Sequence, residues 1–160
     1  MIDVSALRPA RRDDLEAMIE TARRSWLSAF AQTAPFELIA WWAQADRTRA
    51  LYEASWAEMH VLREGDLAAG IVHVKGSEIN GLWVHPSRQG RGLGAALLRA
   101  GEGLVRDAGH DRTWLTCSAF NPRALAFYRR HGYEETGRER YVHASGVSLE
   151  DVRLERALAD

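Results

Sequence analysis

The sequence predicts an α/β fold, and three observations carry that prediction. Apolar residues recur at helical spacing early in the chain, the period turns strand-like from His60 to Val84, and a glycine-rich turn then joins a strand to an amphipathic helix. With 160 residues the chain matches the usual size of one core-forming domain, and no repeat or low-complexity linker divides it. Residues 1–160 are therefore read as a single domain.

Val4 to Arg8 alternates in character and stops at Pro9, which predicts a short first strand. Asp13 and Glu16 have the spacing of a capping box, so a helix is expected from there to about Arg24. Trp26 to Trp56 carries Trp26, Phe30, Phe36, Trp41, Trp42, Tyr52 and Trp56 among helix-favouring residues, which predicts one or two more helices. His60–Arg63 and Ala68–Lys75, separated by Glu64-Gly65-Asp66, predict a β-hairpin. A second turn at Gly76-Ser77 leads to a strand from Glu78 to Val84. Leu93, Ala96, Leu97, Ala100, Leu104 and Ala108 mark a helix that Gly109 stops. Thr113–Ser118 reads as a buried strand, Asn121-Pro122 opens a helix that Gly132 closes, and Tyr133–Glu139 and Leu149–Leu154 read as late strands.

Acidic and basic residues are interspersed and the formal net charge is −1, which argues against a surface devoted to nucleic acid or anionic lipid. A small-molecule partner is expected instead. The one cysteine, Cys117, lies in a strand-like apolar run, so it reads as a packing residue in a reducing compartment. No basic-then-apolar leader opens the chain and no apolar run is long enough to span a bilayer, so a cytoplasmic location is expected.

The chemistry concentrates in Val84-His85-Pro86-Ser87-Arg88-Gln89-Gly90-Arg91-Gly92-Leu93-Gly94. Amides at such a helix start, unobstructed where glycine lacks Cβ, converge on a phosphate while the helix dipole favours its charge. Arg88 and Arg91 are either part of that site or ordinary surface cations. A dinucleotide fingerprint fits poorly, because His85 to Gln89 separate strand from glycine and the next strand ends without an acid. A nucleoside triphosphate loop is excluded by the lack of Gly-Lys-Ser/Thr.

The chain resembles the GCN5-related N-acetyltransferase (GNAT) family. Gln89, Gly92 and Gly94 match the family's turn, and the run from Asn121 to Tyr133 matches a second family pattern downstream. The resemblance is weakest from Trp26 to Trp56. It implies a mixed, mainly antiparallel sheet flanked by helices, whose fourth and fifth strands splay apart so that the pantetheine arm of acetyl-CoA lies in the gap. On that reading Leu82, Trp83 and Val84 offer backbone groups to the cosubstrate. Gln89 and Gly90 with the amides of Arg91, Gly92, Leu93 and Gly94 form the pyrophosphate turn, and Asn121 contacts the pantetheine arm or caps its helix. No metal is called for.

An amine attacking a thioester is helped by a base and an acid. Tyr128 stands where the family commonly carries the phenol that protonates the leaving sulfur; the alternative is an aromatic packing residue. Glu78 stands where histone-type members place a glutamate base, and strand parity groups it with Asn80, Leu82 and Val84; the alternative is a solvated strand-end charge. His73 and His85 are rival bases by chemistry. The acceptor is expected to be a small primary amine shaped by the Trp26–Trp42 aromatics, Tyr141 and Glu37. Protein N-termini or lysines and a non-catalytic acyl-CoA sensor are the alternatives, and the oligomeric state is open between monomer and homodimer.

Overall fold

The computed structural model describes residues 3–158. A 3-10 turn at Arg12–Asp14 leads into α1 (Leu15–Phe30), followed by α2 (Phe36–Gln44) and α3 (Arg47–Ser55). Strands β1 (Arg8–Pro9), β2 (Met59–Glu64), β3 (Leu67–Lys75), β4 (Glu78–Val84), β5 (Arg112–Ser118), β6 (Glu134–Val142) and β7 (Ser148–Ala157) form one sheet in the order β1-β2-β3-β4-β5-β7-β6. Helices α4 (Leu93–Asp107) and α5 (Pro122–Arg130) complete the fold. Every neighbouring pair is antiparallel except β4 and β5, so the sheet is mixed and mainly antiparallel, as expected. No helix among the described residues is long and apolar enough to cross a membrane.

Each face of the sheet is covered by helices because the strands alternate two apolar sets. On one face Met18, Ile19 and Ala22 of α1 pack with Met59, Val61 and Ile71. On the other, Leu98 and Val105 of α4 and Leu125 of α5 pack with Val72, Ile79, Leu115, Val152 and Leu154. Fully burying each such aliphatic chain stabilises the fold by about 1.5–3 kcal/mol before entropy is charged against it. Helix α4 comes so near the sheet that a Cβ at Gly70 would collide with the Leu97 side chain.

Several boundaries differ from expectation for local reasons. The first strand is only Arg8–Pro9, because Leu7 N–H bonds back to Val4 carbonyl in a turn. The acid that organises the start of α1 is Asp14, not Asp13: it accepts from Arg11 N–H at 2.7 Å and from both ends of the Arg8 guanidinium. Glu16, freed from capping, pairs with Arg49 on α3. Helix α1 continues past Arg24 to Phe30, since Ser25 and Phe30 extend its buried stripe. The late strands are also longer than the alternation suggested, each pairing along nearly its whole length in the β6–β7 hairpin.

Candidate active site

Strands β4 and β5 touch only at their N-terminal ends. The register pairs Glu78 with Trp114, and Ser77 carbonyl accepts from Trp114 N–H at 3.2 Å and from Thr113 Oγ1 at 2.9 Å. Beyond that point the strands part, and the second half of β4 has a neighbour on the β3 side alone. A cleft of about 480 Å³ opens there. It is lined by Leu82, Trp83 and Val84 of β4, by Gln89, Gly90, Gly92 and Gly94 of the turn, and by Asn121 and Tyr128.

The turn has the backbone that its glycines permit. Gly90 (φ +73°) and Gly92 (φ +81°) are both left-handed, a region costly for a side chain with Cβ. Gly92 is the N-cap of α4 and has no side chain to satisfy the first-turn amides, which therefore remain open to an anion beside the cleft. Gln89 holds the turn in place: its Nε2 donates to Val84 carbonyl at 3.0 Å, and Ser25 Oγ donates to the same oxygen at 2.8 Å. The Val84 carbonyl is thus fully engaged, and the Gln89 side chain is a brace within the chain. Arg91 is exposed, Leu93 is buried in the core, and Arg88 pairs with Glu64.

Asn121 caps α5, its Oδ1 accepting from Ala124 N–H at 3.1 Å, while it also faces the cleft. Tyr128 lies half-buried one face along the same helix, edge-on to Phe127 and Tyr133. Burial, and then the neighbouring Cys117, push the Tyr128 phenol above the usual tyrosine range, so it stays neutral. Burial first, then the Asp151 charge, push the Cys117 thiol up to about 12, in keeping with a packing role.

Glu78 is placed differently from the sequence reading. Val74 pairs with Ile79 but His73 pairs with Gly81, so Asn80 is an extra residue on β4, a β-bulge. The bulge breaks the simple alternation: Ile79 and Leu82 pack into the same core face, which leaves Glu78 out of phase with Leu82 and Val84. Glu78 stands at the closed end of the split, three ladder steps or roughly 10 Å along the strand from Leu82, and does not line the cleft. Of the rival bases, His73 is buried with Nε2 2.8 Å from Glu58 Oε2, and His85 Nδ1 accepts from Ser87 N–H at the turn.

Sequence reasoning missed Ser25, Ser28, Arg123, Arg130 and His131, which also line the cleft. Arg123 and Arg130 lie seven residues apart and so share one face of α5, while His131 follows Tyr128 by three on the side of Asn121, spacings that a helical pattern carries. The α1 serines reach the cleft only through the packing of α1 across the sheet. The charged lining is cationic: Arg123 and Arg130 contribute, and no carboxylate does among the described residues. Such a cleft suits a polyanion that ends in an apolar arm.

Comparison with known proteins agrees with this geometry. The family model described as "Acetyltransferase (GNAT) family" matches residues 15–133. Mycothiol acetyltransferase of Clavibacter sepedonicus is 46% identical over 59 residues, 37% of this chain and 19% of that protein. N-alpha-acetyltransferase RimI of Mycobacterium tuberculosis is 36% identical over 77 residues, 48% of this chain and 47% of its own length. The aligned stretches thus span less than half of these relatives. A Rhodopseudomonas palustris crystal structure, described as a GCN5-related N-acetyltransferase, superposes with a TM-score of 0.82 at 25% identity, covering 96% of this chain and 95% of the other. PaiA N-acetyltransferase of Thermoplasma acidophilum, solved with coenzyme A, shares the fold at a TM-score of 0.70 and 19% identity, covering 94% and 97%. With the family match covering most of the chain, and with β4 and β5 parted beside a glycine turn, this chain belongs to the GNAT family of acetyltransferases.

Proposed function

We propose that this protein transfers acetyl from acetyl-CoA to a small primary amine by direct attack. The observation that carries the reading is the split between β4 and β5, which opens at the uncapped start of α4. A pantetheine arm is an amide-bearing chain, so it can pair with the free edge of β4 at Leu82 and Trp83 as an added strand would. Its pyrophosphate then meets the amides from Arg91 to Gly94, and Asn121 faces the arm from α5.

On this reading the neutral amine attacks the thioester carbonyl, a C–N bond forms, the C–S bond breaks, Tyr128 gives its proton to the departing sulfur, and the proton shed by the new amide nitrogen returns through water to the Tyr128 phenolate. Its raised pKa suits a donor that must hold its proton at working pH. We assign Glu78 to closing the β4–β5 seam, because the bulge and the distance keep it from the acyl end.

Calorimetric titration of acetyl-CoA into the wild type and Gly92→Glu tests the reading. The substitution forces Cβ into a left-handed position, costing about 1–2 kcal/mol of stability, and puts an anion at the start of α4. Wild-type binding with at least a hundredfold loss in the folded variant is expected. Equal affinity in both would refute the placement of the pyrophosphate.

A further inference from the structure

We propose that Asp151 is the carboxylate that binds the ammonium of the acceptor, in an aromatic-walled site on the α1 side of the split sheet. The proposal rests on the acetyltransferase reading and names the substrate class of the same site.

Register locates Asp151. Strands β4 and β5 run parallel from the Glu78–Trp114 pair, and because the bulge at Asn80 adds one residue to β4, Trp83 rather than Leu82 stands level with Ser118 across the widening gap. Ser118 is the direct partner of Asp151 on β7, and its Oγ lies 3.5 Å from Asp151 Oδ1. Leu115, Cys117, Val152 and Leu154 are buried on the face that carries α4 and α5. Alternation therefore turns Ser118 and Asp151 to the opposite face, where Trp83 packs against the α1 cluster.

That side is walled by rings. Trp42 of α2 stacks on Trp26 of α1 at 4.5 Å, Trp26 touches Phe30, and Phe30 meets Phe120 edge-on at 5.3 Å, just beyond the end of β5. Trp41 reaches across to His143 in the β6–β7 turn, next to Tyr141. The aromatics of α1 and α2 thus bridge to both strand ends that flank Asp151.

Asp151 is half-buried and in no ion pair among the described residues, whereas the adjacent Glu150 is held by Arg138 and Arg140. The groups around Asp151 are Ser118 and Cys117 of β5, Tyr141 and Glu139 of β6, and Arg153 two residues along β7. Arg153 is committed elsewhere, with one nitrogen 3.1 Å from Glu155 and its guanidinium 4.0 Å over the Trp114 ring. Burial, and then the charge and hydrogen bond of Asp151, raise the pKa of the Tyr141 phenol, which therefore serves as a donor to the carboxylate. A carboxylate with donors but no cation, beside aromatic faces, is complementary to a primary ammonium carried on an apolar or aromatic body, which gives up one proton to water before its nitrogen attacks the thioester. It also discriminates against alcohols, which bring no charge.

Phenethylamine is the probe. With acetyl-CoA saturating, thiol release is followed against phenethylamine concentration, and acetyl-CoA affinity is measured separately by calorimetry. The wild type is expected to acetylate phenethylamine. Asp151→Asn is expected to raise its KM at least tenfold with acetyl-CoA affinity unchanged, and Asp151→Glu to recover part of the loss. Tyr141→Phe, which removes one donor and keeps the ring, is expected to raise KM by a smaller factor. An unchanged KM in both folded Asp151→Asn and Tyr141→Phe overturns the proposal. So does a wild type that binds acetyl-CoA but does not acetylate phenethylamine, an outcome that leaves the acetyl-CoA reading standing. Failure of the wild type to bind acetyl-CoA overturns both.

Discussion

Replacing Tyr128 by phenylalanine separates chemistry from packing more cleanly than any other single change in the cleft. The ring is retained against Phe127 and Tyr133, and no hydrogen bond of the hydroxyl contributes to its raised pKa, so its removal orphans no identified partner. Stability should move by less than about 0.5 kcal/mol, as for a change that leaves neither a cavity nor an unpaired group. The rate should respond far more. A positioned acid is worth roughly 10²–10⁴ in rate, which is about 3–5 kcal/mol of transition-state stabilisation at 1.36 kcal/mol per decade. Because a neutral phenol must donate and burial raises its pKa, the basic limb of the wild-type rate profile should lie above pH 10, the ordinary tyrosine value. The assay is thiol release at saturating acetyl-CoA and amine, with a solvent isotope or burst measurement to establish that chemistry limits turnover. A Tyr128→Phe enzyme with unchanged kcat under that condition would refute acid catalysis and return the residue to packing.

Glu78→Gln should leave turnover at saturating amine within about twofold across the acidic limb, because the bulge keeps the carboxylate at the seam; a pH-dependent loss there would restore it as the base. Alkaline pH should destabilise the fold through its tyrosines. Tyr52, Tyr128 and Tyr133 all have raised pKa values in the fold, burial being the first cause in each. Their contribution is full below about pH 10, the unfolded value, and is lost above it, because the unfolded chain releases protons that the fold retains. The slope is about 1.4 kcal/mol per pH unit for each tyrosine. Urea midpoints should therefore fall steeply as the pH rises above about 10, and a flat profile there would contradict the burial of these phenols.

The pattern of elements was legible because it depends on local chemistry. Glycines at 90 and 92 announce a left-handed turn, Asn121-Pro122 announces a helix start, and alternation from His60 to Val84 announces a hairpin and a third strand, all within a few residues of their cause. Capping was misplaced by one residue because the spacing rule favours Asp13, which has Glu16 three residues on, over Asp14, which has Ala17 there. The choice of Asp14 follows from Arg8 and Arg63, which fold back onto it from two strands.

The amino-acid sequence by itself determined that a glycine turn begins α4 and that Asn121 and Tyr128 share a helix beyond β5. Only the tertiary structure decided which groups meet in the cleft. Strand parity tied Glu78 to Leu82 until the single extra residue at Asn80 changed the phase. That bulge is visible only in the pairing of β4 with β3, since a period of two cannot register an insertion that its partner strand does not share. Asp151 stayed hidden for a related reason. It lies 33 residues from Ser118, and its position beside the split follows from sheet order and parallel register, long-range quantities that no local pattern encodes.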